Sequence, residues 1–129
     1  MEFTMGLTGE ASVPVDGSNT AKTMGSGELE VFATPSMIAL MEKAATNALK
    51  ELMPAGSTSV GTMINVKHSA ATPMGTKVTA KAVLTEVDGK RLVFTVEAFD
   101  EKEKIGEGRH ERFIINIDRF MAKTNGKIL

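Results

Sequence analysis

Thr34 to Glu51, TPSMIALMEKAATNALKE, is the one stretch of this chain with clear helical periodicity, and it restricts the fold to one long helix served by strands. Thr34 can accept a hydrogen bond from the exposed amides of a helix start, and Pro35 suits the first helical position, where a missing N–H costs nothing. Ile38, Met41, Ala45, Ala48, Leu49 and Leu52 then recur at three- and four-residue steps, while Lys43, Asn47 and Lys50 lie roughly opposite. That stripe must be buried. Pro54 and Gly56 supply the stop. Glu42 breaks the pattern, falling between Ile38 and Ala45 on the border of the apolar stripe, where it is partly desolvated. Taken by itself, such a glutamate is a boundary residue with a packed stem and a solvated head.

Strand patterns fill most of the remainder. Leu7 to Val15 alternates enough for a first strand, with Pro14 marking an edge or an end. Asp16 to Gly27 reads as a polar loop, and Glu28 to Phe32 as a short extended piece feeding the helix. Thr58 to His68 alternates so that Val60, Thr62, Ile64, Val66 and His68 share the core-facing side, opposite Met63, Asn65 and Lys67. His68 is therefore either a satisfied core histidine or a group aimed at the helix. Ser69 to Gly75 interrupts the pattern. Thr76 to Val87 and Arg91 to Phe99 follow as strands joined by a hairpin at Asp88-Gly89, and Ile105 to Ile117 is the last strand. Gly106 and Gly108 mark a bulge or a close approach, and the tail after Asp118 is expected to hold one frayed helical turn. The layout is α+β, an antiparallel sheet with its apolar face on the helix. Strands this long must curl to cover a single helix, and their free edges favour pairing with another copy.

Composition excludes several function classes. A chain of 129 residues, 42% hydrophobic, is expected to form one domain over 1–129. A net charge of -1 without a long basic run argues against nucleic acid as a partner. Zero cysteines exclude thiolate chemistry, and two histidines cannot supply a three-histidine metal site. No apolar run is long enough to span a membrane and the N-terminus lacks a signal pattern, so a cytoplasmic location is expected.

This order of elements, together with ATPSMIALME, HSAATPMG and GEGRHERFII, resembles the hotdog-fold acyl-CoA thioesterases, in particular the fluoroacetyl-CoA thioesterase-like branch. The resemblance covers nearly the whole chain. It implies a hotdog fold, with a long central helix wrapped by a curled sheet of about five strands. It also implies hydrolysis of an acyl-CoA thioester to free acid and CoA, with no cofactor beyond the coenzyme A of the substrate. The family's catalytic threonine, glutamate and histidine correspond to Thr34, Glu42 and His68, and its HxAATPxG segment to His68 through Gly75. Gly106, Gly108, His110, Glu111 and Arg112 match GxGxHER, and Gly61 matches a glycine that leaves room for an acyl group. One departure stands out: the family's lid phenylalanine falls about at Glu28, which points to a different, broader acyl substrate.

Thioester hydrolysis has a good leaving group, so the site must mainly position water and stabilise negative charge. Glu42 would act as general base or as nucleophile, with His68 orienting or exchanging protons. Thr34 is an N-cap at minimum. Eight helical residues rise about 12 Å, too far for direct contact between Thr34 and Glu42 along one helix. The expectation is therefore a site shared between the subunits of a homodimer or a dimer of dimers. Amides near Ser36 and Met37 could serve the oxyanion. Arg109 and Arg112 are candidates for the CoA phosphates, with Arg112 preferred and a surface salt bridge to Glu111 or Glu107 as the ordinary alternative. Two other readings compete: a non-catalytic acyl-CoA or small-ligand binding protein, and a hotdog dehydratase or hydratase, whose motif arrangement differs.

Overall fold

In the computed structural model, which describes residues 3–128, the organising helix α2 covers Thr34–Leu49. Five strands surround it: β1 Thr8–Pro14, β2 Ser57–His68, β3 Lys77–Asp88, β4 Arg91–Phe99 and β5 Lys104–Asn116. They form one antiparallel sheet in the order β1-β3-β4-β5-β2. The architecture is the expected α+β curled sheet around a long helix.

The core lies between α2 and the concave face of the sheet. Met37, Leu40, Met41, Ala44, Ala45, Ala48 and Leu49 of α2 are buried against Val78, Ala80, Ala82 and Leu84 of β3 and Leu92, Phe94, Val96 and Ala98 of β4. Alanines on both sides of this contact let helix and sheet approach closely. The buried stripe is rotated toward Leu40 and Ala44, and Ile38 and Leu52 are only half-buried. The cause is Gly9 of β1, which packs directly on the α2 backbone: a side chain there would collide with the Ala44 carbonyl and the Ala48 amide. The helix is thus covered on a flank that its own periodicity did not single out. Asn47 Nδ2 reinforces this side by donating to the Glu10 carbonyl at 2.8 Å.

Several local expectations need correction. Asp16 to Gly27 is not all loop, because α1, Ala21–Met24, forms one turn within it, capped by the Thr20 hydroxyl. The piece before α2 is held by isolated bridges, Thr20 to Phe32 and Val31 to Pro73. Thr34 does not cap α2; Ala33 occupies that position without a side-chain hydrogen bond, since the Thr34 hydroxyl is engaged with His68. The hairpin turn falls on Gly89 and Lys90, with Asp88 paired to Arg91 and positive φ only at Gly89 (62°), the pattern of a type II′ turn. Gly106 and Gly108 mark close approaches: a side chain at Gly106 would meet the Met37 thioether, and one at Gly108 the β2 backbone. The tail forms α3, Ile117–Asn125, a longer helix than one frayed turn, capped by the Asn116 side chain.

The most consequential correction concerns β2. Its register with β5 shifts between Gly61 and Met63, leaving Thr62 as an extra residue. The alternation therefore changes phase within the strand. Ile64, Val66 and His68 keep the predicted face, whereas before the bulge it is Ser59 and Gly61, not Val60, that look toward the helix.

Candidate active site

Two groups of side chains form along α2. At its start, the Thr34 hydroxyl lies 2.7 Å from His68 Nδ1, a contact made possible because β2 ends beside the first helical turn. Burial pushes the His68 imidazole below its ordinary pKa, and the neighbouring Ala70 backbone offsets this in part. His68 Nε2 is enclosed, and among the described residues it is the one buried side-chain nitrogen or oxygen without a hydrogen-bond partner. Thr34 and His68 line a cleft of about 250 Å³ with Ala21, Ser26, Phe32 and Ala70. Glu28 is exposed. The Met37 amide is spent on the Ala33 carbonyl at 3.0 Å, so of the two amides expected near an oxyanion only that of Ser36 remains.

The second group centres on Glu42, two turns further along. Its surroundings are polar, not the expected apolar border. Oε2 lies 3.3 Å from Arg112 Nη1 and 3.9 Å from His110 Nε2, and the carboxylate opens onto a cleft of about 200 Å³ lined by Gly61, Thr62, Met63, Ile64 and His110. Gly61 leaves the space that the carboxylate fills, since a side chain there would displace the Glu42 carboxylate and come within 3.2 Å of the His110 ring. Arg112 points inward as expected, but it is buried and its guanidinium is committed. Nε donates to Ser59 Oγ at 2.8 Å, Nη2 to the Ser59 carbonyl at 3.0 Å, and Nη1 to Glu42. An arginine held this way anchors the acid and presents no free fork to a phosphate. Arg109 is exposed and pairs with Glu111 at 3.4 Å.

The chain therefore brings Thr34 and His68 together and holds Glu42 apart from them with His110, Arg112 and Ser59. Sequence reading missed Ser59 and gave His110 no task. The signal of Ser59 was hidden by the bulge, which moves it to the inner face.

A five-stranded antiparallel sheet curled around one helix, with an acid on that helix and a histidine ending the edge strand, defines a hotdog-fold thioesterase. The structure matches that of a thioesterase-superfamily member from Thermus thermophilus with a TM-score of 0.87 and 25% identity, covering 95% of this chain and 90% of that one. Within this class the chain belongs to the fluoroacetyl-CoA-specific thioesterase family, which it matches over residues 15–118. It is 46% identical over 98 residues to the fluoroacetyl-CoA thioesterase of Streptantibioticus cattleyicolor, spanning 76% of this chain and 70% of that protein. A solved structure of the fluoroacetyl-CoA thioesterase FlK superposes with a TM-score of 0.92 at 38% identity, covering 98% of each chain.

Proposed function

We propose that this chain hydrolyses acyl-CoA thioesters to free acid and CoA in a site built by two protomers, with Thr34 and His68 of one facing Glu42 of the partner subunit. The observation that carries this reading is the separation just described: Thr34 and His68 are hydrogen-bonded at the start of α2, while Glu42 is held two turns away. β2 is a twelve-residue strand at the edge of the sheet, a natural site for pairing with a second copy. Half-exposed Ile64 on its inner face adds apolar surface to that edge.

The chemistry follows from the two groups. The thioester carbonyl needs a nucleophile and a stabilised oxyanion, and the thiolate departs without much help. Glu42, aimed by Arg112, either removes a proton from water as it attacks or attacks the carbonyl itself to give an anhydride that water opens. Single turnover in isotopically labelled water tests the second route, because label enters Glu42 only when water opens an anhydride at the Glu42 carbonyl. His68 is held through its Nδ1 against the Thr34 hydroxyl, where it orients that group or exchanges protons with it, while the helix start contributes the Ser36 amide and its dipole. Glu28 in place of a lid aromatic supports a broader acyl-CoA substrate without strict selection for fluorine.

Mixing inactive Thr34→Ala and Glu42→Ala chains tests the shared site. Random reassortment should restore about a quarter of wild-type thiol release, because half the dimers are mixed and each carries one intact site. No recovery in verified mixed dimers would sink sharing. A panel of short, branched, aromatic and fluorinated acyl-CoAs identifies the substrate, and a strict preference for fluoroacetyl-CoA would overturn the reading of Glu28.

A further inference from the structure

We infer that His110 is a positioning residue for this reaction, using its Nε2 lone pair to aim Arg112 and, through Arg112, the Glu42 carboxylate. The inference rests on the Glu42 reading given above. It starts from a buried titratable side chain that the hydrolytic scheme leaves idle: His110 is 1% exposed and lies two residues before Arg112 on the same face of β5.

The hydrogen bonds fix the state of the ring. Nδ1 lies 2.8 Å from the Met63 carbonyl, which can only accept, so Nδ1 carries the proton. In the neutral ring Nε2 is then a lone pair, and it accepts from Arg112 Nη1 at 3.1 Å. The other hydrogen of the same Nη1 goes to Glu42 Oε2 at 3.3 Å. Ser59 holds the rest of the guanidinium, so Nη1 is pinned between a ring acceptor and a carboxylate acceptor. His110 Nε2 and Glu42 Oε2, 3.9 Å apart, have no hydrogen to share between them. The imidazole acts on the acid only through the arginine.

The elements packed on the ring pull its titration in both directions, and burial dominates. Burial lowers the proton affinity of His110 most; the Met63 carbonyl of β2 opposes this, Arg112 lowers it further, and Glu42 of α2 and Glu111 of β5 oppose. β4 contributes the uncharged Phe94 ring, stacked with centroids 6.3 Å apart. The Met63 carbonyl that holds Nδ1 directly follows the Thr62 bulge. Protonation at Nε2 would reverse the arrangement. The acceptor would become a donor, repel Arg112 and draw Oε2 toward itself.

Replacing His110 by Gln keeps an acceptor near the Nε2 position, whereas Asn keeps only a donor near Nδ1. The expected result is a kcat for His110→Asn lowered roughly ten- to hundredfold, as for loss of an oriented hydrogen bond to a charged group, with KM little changed. His110→Gln should stay within about threefold of wild type and lose the acid limb of the pH profile that the ring imposes. Nitrogen-15 NMR of the intact protein, in which one of only two histidine rings disappears in the Gln variant, should show His110 protonated at Nδ1 at neutral pH. An Nε2-protonated ring, equal losses in Asn and Gln, or full activity in Asn would each overturn the inference. Turnover by Glu42→Gln would bring down the underlying reading and this one with it. A failure confined to the His110 variants brings down this one alone.

Discussion

Glu42 shows how far a single residue can be read from sequence. Its place on the flank of a helical stripe was legible from a 100° wheel. Its neighbours were not, because Arg112, His110 and Ser59 come from strands 17 to 70 residues away in the chain and only pairing brings them together. Gly61 is the residue through which this neighbourhood is most easily tested. Gly61→Ala places a methyl group where the Glu42 carboxylate lies, and if Glu42 acts as proposed the expected outcome is a folded protein with kcat lowered at least tenfold, because small displacements of a reacting group are costly. Thiol-release kinetics beside a thermal melt check this. An active Ala variant would show that the carboxylate need not occupy its observed position. The ring of His68 is a subtler case: its parity predicted an inward direction, but not that the Thr34 hydroxyl would forgo capping to meet it.

The long helix, the strand segments and the β3–β4 hairpin followed from periodicity, proline and glycine, because those signals are local; the pairing of β2 with β5 is not local and was not read. The errors arose where one element answers to another. α2 buries Leu40 and Ala44 because β1 lies across it at Gly9, and no periodicity within α2 encodes that. The expected outcome of Gly9→Val is a destabilisation of about 1–3 kcal/mol, the usual range for overpacking, as β1 is pushed from the helix backbone. Chemical denaturation checks it, and an unchanged midpoint would mean that β1 shifts freely. α3 was underestimated for a different reason. Its Asn116 cap lies within what reads as the last strand, and a nine-residue amphipathic helix at a chain end carries only a weak pattern.

At the scale of the whole molecule, titration links the site to stability. His68 and His110 both bind protons less readily in the folded chain than an ordinary imidazole near 6.5, chiefly through burial. Below that value the unfolded chain takes up protons that the folded chain refuses, so stability falls as pH drops from about 6.5 until the folded rings protonate. Glu111, held by Arg91, and Glu107, held by Lys104, extend the loss below the carboxylate range, since each is lowered in the fold. The expected outcome is a lower thermal midpoint at pH 5 than at pH 7, with part of the difference removed in His110→Gln. A flat profile would contradict the burial of the two rings. β2 adds a constraint of another kind. Because its extra residue at Thr62 inverts the alternation between Ser59 and Ile64, this strand has something like a reading frame. A changed letter on either side is a local event, but one inserted or deleted residue would turn half the strand inside out and exchange the groups given to Glu42 for those given to solvent.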